Sequence, residues 1–233
     1  AMKISIAHEY FRANGCYDGC YEVKGVVREF INKALVGGRT MLCENKKQIC
    51  GMNYDKFSHK KIADFDAVSL YPSAMESMPG FLMGKPIVIE EGDDWKNADG
   101  YFVEIKINDI KKHRKFPMMS YVDRTKGTRN FSDITDEYKG QTVVVDKTML
   151  GIWEEYHGVE YEFIRGYMFN DGHNPQIKTT IRKIFNNRLF AKNETILHDG
   201  TKKGKKKEWS VQECLDEVPE AWVKKNKDKV KSF

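Results

Sequence analysis

The segment Asp64-Phe65-Asp66-Ala67-Val68-Ser69-Leu70-Tyr71-Pro72-Ser73-Ala74-Met75 holds the residue types best suited to chemistry. Weak alternation from Ile62 to Leu70 predicts a strand. Pro72 then stands where the first position of a helix running to Met78 tolerates a missing N–H. A carboxylate at a strand end, followed by a turn whose amides face the same way, offers a metal ligand beside an anion cradle. Nucleotidyl transfer needs that pairing, because carboxylates must hold two Mg²⁺ ions about 3.5–4 Å apart, one activating the attacking hydroxyl and one gripping a triphosphate. Taken singly, Asp66 could instead cap the strand end, and Tyr71 could be a core aromatic.

The whole string Asp-x-x-Ser-Leu-Tyr-Pro-Ser, Asp66 to Ser73, resembles the first polymerase motif of family B DNA polymerases. The resemblance implies that Asp66 is the catalytic, metal-binding carboxylate, with the Ala67 carbonyl as a second ligand to Mg²⁺ or Mn²⁺. It further implies that Ser69 and Leu70 offer backbone contacts to an incoming deoxynucleoside triphosphate. Tyr71 would stack under the sugar and leave no room for a 2′-hydroxyl.

Val36-Gly37-Gly38-Arg39-Thr40 lies upstream of Asp66 at about the distance of the Gly-Gly motif that contacts template and primer DNA in protein-primed members of the family. Leu35 occupies the place of that motif's usual Tyr. The resemblance thus assigns Gly37, Gly38 and Arg39 to DNA, the alternative being a glycine cap on the preceding helix. The stretch 84–175 is similar in place to the inserted lobe called terminal protein region 1, which contacts the priming protein. Phe116-Pro117, Val145-Asp146-Lys147, Gly158-Val159-Glu160-Tyr161 and Gly166-Tyr167 look like its landmarks in viral members. Implied partners are a DNA primer-template, deoxynucleotides and a terminal (priming) protein.

At 100° per residue, Arg188 and Lys192 continue the side of a helix that carries Ile177, Ile181 and Ile184. Cations on an inward stripe are costly unless an anion meets them. In family B polymerases, basic residues at this place contact the triphosphate, and the resemblance extends that role to Arg188 and Lys192. The competing account is that cations in a helix's last turn favour its macrodipole. Cys16, Cys20, Cys43 and Cys50 raise a zinc site, but their spacings are wider than zinc pairs usually take, so buried thiols are the expectation. The six histidines show no paired metal spacing and are expected to be structural or solvated.

Neither Lys-x-x-x-Asn-Ser-x-Tyr-Gly nor Asp-Thr-Asp, the second and third motifs of the family, occurs in the 233 residues. The expectation is a chain inactive alone, either cut before the second motif or drawn from a polymerase split between two chains. A non-enzymatic module binding DNA or a primer protein is the alternative. Ala1 before Met2 is an unusual start, and neither end is taken as natural.

The elements that must hold these residues read as α+β. Val23, Val26, Val27, Phe30, Ile31 and Leu35 share one helical face, with Gly37-Gly38 at the expected cap. A hairpin with its turn at Glu44-Asn45-Lys46 should follow. Strands are expected at Pro86–Glu90, Tyr101–Ile107, Phe116–Val122, Thr142–Val145 and Val159–Phe169, interrupted by a helix from Lys147 to Tyr156 behind an Asp146 cap. A helix from Gln176 to Asn193 comes next, then the charge run Lys202–Lys207 and one or two helices after Trp209. The division expected is a partial palm over 1–83, the β-rich insertion over 84–175, and over 176–233 a helix leading to the fingers with a basic tail.

Composition sets outer bounds. Hydrophobic residues at 40% and charged residues at 31% predict a chain that is mostly globular. Lys and Arg exceed Asp and Glu by 39 to 34, which permits a nucleic-acid partner without requiring one. No apolar stretch approaches a membrane span, no secretory leader is evident, and five scattered cysteines suit a reducing compartment. An intracellular protein, in host cytoplasm or at a viral replication site, is the expectation.

Overall fold

Ile105 sits at the centre of the β-rich half, fully buried, with Val103 beside it equally enclosed. The computed structural model describes residues 2–42, 65–67, 69–123 and 125–197. Their elements, in chain order, are α1 (Met2–Ala13), α2 (Gly25–Lys33), α3 (Leu70–Ser77), β1 (Phe81–Leu82), β2 (Ile87–Val88), β3 (Gly100–Ile110), β4 (Ser120–Val122), β5 (Arg129–Phe131), β6 (Thr142–Asp146), α4 (Lys147–His157), β7 (Val159–Phe169), β8 (His173–Asn174) and α5 (Gln176–Leu197). The fold is α+β. The chain divides into two compact units, one of Ala1–Cys20, Asp64–Phe81 and His173–Phe233, the other of Tyr21–Ala63 and Leu82–Gly172.

The second unit is built on an antiparallel sheet in the order β2-β7-β3-β6. Its long strands pair Ile105 with Phe163 on one side and with Val143 on the other. Strict alternation sends Tyr101, Val103, Ile105 and Ile107 of β3 into one core, where they meet Leu150 and Trp153 of α4. Gly166 lets β7 come close, since a Cβ there would lie 2.6 Å from the Phe102 carbonyl oxygen. On the opposite face, Phe30 of α2 is buried edge-on against Tyr167, at 5.3 Å between ring centres. Glu104 there accepts from Arg165 Nε at 2.6 Å and from Thr142 Oγ1 at 2.7 Å.

The first unit gathers the helices α1, α3 and α5. Cys16 is buried and donates its thiol to Thr180 Oγ1 at 3.2 Å, while Asn174 donates to the carbonyls of Gly15 and Asp18 and accepts from Gln176 N as α5 begins. Ile177, Thr180 and Ile181 form the buried stripe of α5. The short β1 and β8 pair where the chain leaves this unit and comes back.

Several sequence expectations change. The helix expected before Gly37 is present as α2, but Val26 and Leu35 are exposed, and Phe30 and Ala34 carry its burial. The helix closes at Ala34 rather than at the glycines. Helix α3 starts at Leu70, so Pro72 is its third residue, and Phe65–Ala67 are not in a strand. Of the strand expected over Phe116–Val122 only Ser120–Val122 forms, and α1 was not anticipated. The hairpin turn at Glu44-Asn45-Lys46, Cys43, Cys50, the lysine run and everything after Leu197 lie outside the described residues.

Candidate active site and nucleic-acid contacts

Asp66 and Ala67 lie exposed just ahead of α3, and the Asp66 carboxylate makes no hydrogen bond or ion pair among the described residues. Ser69, which caps the helix, has φ 52° and ψ 42° and is the one non-glycine residue of positive φ among them. A left-handed Ser costs about 1–2 kcal/mol relative to its ordinary conformation. The chain turns sharply there. Ser69 Oγ does not cap, so the N–H groups of Leu70 and Tyr71 have no partner within the described chain, and Pro72 has no N–H to place. The Ser69 carbonyl accepts from both Ser73 N and Ser73 Oγ at 3.0 Å, which holds the first turn.

Helix α3 buries none of its residues. Leu70 and Tyr71 are exposed, as are Phe65 and Met75. It packs on α5, with Arg182 Nε donating to Glu76 Oε1 at 2.7 Å. Arg188 lies further along α5 and is exposed, which corrects the expectation that it follows the inward stripe; Ile184, one turn earlier, is exposed as well. The buried side rotates instead through Ile181 to Asn187. Arg188 is therefore a solvated cation with no ion pair among the described residues. Lys192 stands on the same helix. Asp66, Ser69, Leu70, Tyr71, Arg188 and Lys192 all belong to the first unit, and Gly37, Gly38 and Arg39 to the second.

Gly37 and Gly38 are exposed, adopt no left-handed φ and would meet nothing within 4 Å if given a Cβ. The glycine-cap reading fails, because the Ala34 and Leu35 amides already close α2 on the Ile31 and Asn32 carbonyls. The fold itself makes no demand for glycine at either place. Arg39, by contrast, is engaged: its Nη1 donates to the Pro117 carbonyl at 3.3 Å and meets Met118 Sδ at 3.1 Å, and its guanidinium lies 5.0 Å from the Phe131 ring centre.

Among the described residues no group of three or more His, Cys, Asp or Glu could hold a metal. Asp66 offers one carboxylate and Ala67 a carbonyl, a set that suits Mg²⁺, which relies on one or two carboxylates plus substrate phosphates and water. No described helix is long and apolar enough to cross a membrane.

Residues 5–203 match the family model of DNA polymerase type B, organellar and viral. The chain belongs to that family. Its fold is similar to part of phi29 DNA polymerase in an orthorhombic crystal form, with a TM-score of 0.56 and 18% identity over 80% of this chain and 32% of that one. A phi29 DNA polymerase complexed with primer-template DNA and incoming nucleotide substrates gives 0.52 and 20%, over 76% and 31%. This type B polymerase chain thus spans about a third of the length of the solved polymerases it resembles. No curated protein matches it.

Proposed function

We propose that the chain is part of a DNA-directed DNA polymerase that adds deoxynucleotides by two-metal phosphoryl transfer, in protein-primed replication of a viral or plasmid genome. The observation that carries the reading is the Asp66 carboxylate, without a partner among the described residues, three positions before the left-handed Ser69 and two helix amides equally unpaired among them, in a chain of this family. Asp66 and the Ala67 carbonyl would hold Mg²⁺, or Mn²⁺ in its place, and the metal supplies charge stabilisation for the transferring phosphoryl group. The amides of Leu70 and Tyr71, after Ser69, suit triphosphate oxygens, and the exposed Tyr71 ring suits the sugar. Arg188, which is exposed, and Lys192 are the cations assigned to the same anion. Gly37, Gly38 and Arg39 are the contacts to primer and template. The stretch 84–175 is the lobe that meets the priming protein, between a partial palm over 1–83 and a segment over 176–233 that leads to the fingers. The chain acts inside cells, at the site of replication.

The absence of the second and third motifs from these residues favours a chain inactive alone, and also sustains a second reading, a binding module for DNA or a primer protein. Primer extension by a polymerase in which this chain is joined or complemented by the missing motifs separates the two. Asp66→Asn should keep the fold, checked by circular dichroism, and lower extension by about a thousandfold or more, because charge stabilisation carries most of phosphoryl transfer. Extension within about tenfold of the unsubstituted enzyme would discard the catalytic role and leave the binding module.

A further inference from the structure

Gly37 and Gly38 are held from their two flanks. On one side Arg129 Nη2, reaching from β5, donates to the Leu35 carbonyl at 3.0 Å, while its Nη1 donates to Ser120 Oγ on β4 at 3.0 Å. On the other, Arg39 reaches from the glycine segment into the same hairpin, at Pro117, Met118 and Phe131. The hairpin is itself fixed: Met118 N donates to His157 Nε2 at 3.0 Å, and Trp153 Nε1 donates to the Met118 carbonyl at 3.2 Å. Between these two anchors the glycine amides are exposed and take no partner among the described residues.

Arg129 is the unusual member. Its guanidinium is partly withdrawn from water, which pushes its pKa down from the ordinary value, yet it forms no ion pair among the described residues. A desolvated cation is costly to keep. The planar fork donates to both acceptors from two fixed nitrogens, a pre-organisation that the point charge of a Lys on its flexible stem lacks. What the fork secures is a backbone carbonyl two residues before Gly37.

We infer that Arg129 is a positioning residue for DNA binding, acting on nucleic acid through the Gly37–Gly38 backbone that it holds in place rather than by touching phosphate. This rests on the reading of Gly37 and Gly38 as DNA contacts given above. A segment left to wander must be ordered when DNA arrives, and that ordering weakens binding.

The test is fluorescence anisotropy of the 233-residue chain with a labelled primed duplex over a range of salt, for the unsubstituted protein, Arg129→Gln, Arg129→Lys, Gly37→Val and the double variant Gly37→Val with Arg129→Gln. Arg129→Gln should weaken binding by about tenfold, from loss of a charge-assisted bond, with Arg129→Lys between it and the unsubstituted chain. The slope of log affinity against log salt should stay the same, whereas removal of a phosphate contact lowers it by about 0.9. In the Gly37→Val background, Arg129→Gln should cost nothing further. A reduced slope would make Arg129 a phosphate ligand and overturn the inference. So would an Arg129→Gln affinity within twofold of the unsubstituted chain, or a full additional loss in the double variant. If Gly37→Val itself leaves affinity unchanged while Arg129→Gln weakens it, the glycine assignment fails first, and the inference with it. If Arg129→Gln unfolds, Arg129→Lys carries the same comparisons.

Discussion

His157 is fully enclosed, and both its ring nitrogens are used. Because Nε2 accepts from Met118 N at 3.0 Å, the proton must sit on Nδ1, which faces the Lys112 carbonyl at 2.9 Å. The ring is therefore neutral in the folded chain. Burial pushes its pKa below the ordinary 6.5, against the opposing pull of the Lys112 carbonyl and the nearby Asp133 carboxylate. Below about pH 6.5 the unfolded chain takes up a proton that the folded one refuses, so stability is full above that pH and declines as pH falls toward the lowered pKa. Melting temperature should drop between about pH 7 and pH 5.5, and His157→Gln should melt lower at pH 7 but with a shallower decline. Equal declines in the two proteins would remove His157 from the account. None of this was legible in the sequence, where His157 is one of six histidines without a pattern; its partners lie 39 and 45 residues away. Arg129 was silent for the same reason, since its Leu35 partner is 94 residues distant.

Elements were most legible where a local signal and burial agree. Helix α4 begins at Asp146, whose carboxylate accepts from Met149 N at 2.7 Å, and ends at Gly158, with φ 57°. Leu150, Trp153 and His157 recur on its buried face, so caps and periodicity mark one set of boundaries. Asp146→Ala should cost about 1 kcal/mol from the lost cap. Gly158→Ala should cost a comparable amount, about 1 kcal/mol, because Ala resists a left-handed φ. Urea titration followed by far-UV circular dichroism reads both, and a Gly158→Ala protein as stable as its parent would contradict the αL cap. Where signals conflict, the sequence misleads. The apolar spacing that included Val26 and Leu35 suggested a longer face than α2 buries, and Gly37-Gly38 resembled a cap only because two glycines followed a helix. Arg188 was drawn inward by extending a 100° stripe past Ile184, where α5 has already turned that side to water. The motif at Asp66 was readable as a string, but its geometry was not, because a left-handed Ser carries no signature in its neighbours.

At the scale of the whole chain, a net charge of +5 is modest, and affinity for DNA should come from a few placed cations rather than from bulk charge. Binding of single-stranded and primed duplex DNA should be weak and fall steeply between about 50 mM and about 200 mM salt, as released counterions require. Affinity unaffected by salt in an anisotropy titration would rule out phosphate contacts by Arg39, Arg188, Lys192 and the Lys202–Lys207 run.

The pairing of β1 with β8 has a consequence for how such a chain can be edited. Met83 N donates to the Gly172 carbonyl at 3.0 Å, so the stretch from Leu82 to Gly172 starts and finishes at neighbouring points. Just outside it, the Gly80 backbone lies so close to Asn174 that a Cβ would sit 2.1 Å from its carbonyl oxygen, which fixes the two ends together. To the helices α3 and α5, the whole excursion is a single long loop whose ends are already joined. Closing such a loop becomes harder only with the logarithm of its length, by about 0.6 kcal/mol for each doubling. Insertions at the exposed turns of the excursion should therefore disturb α3 and α5 little, whereas exchanging it whole would uncover Phe30 of α2 and release the glycine segment that its hairpin anchors.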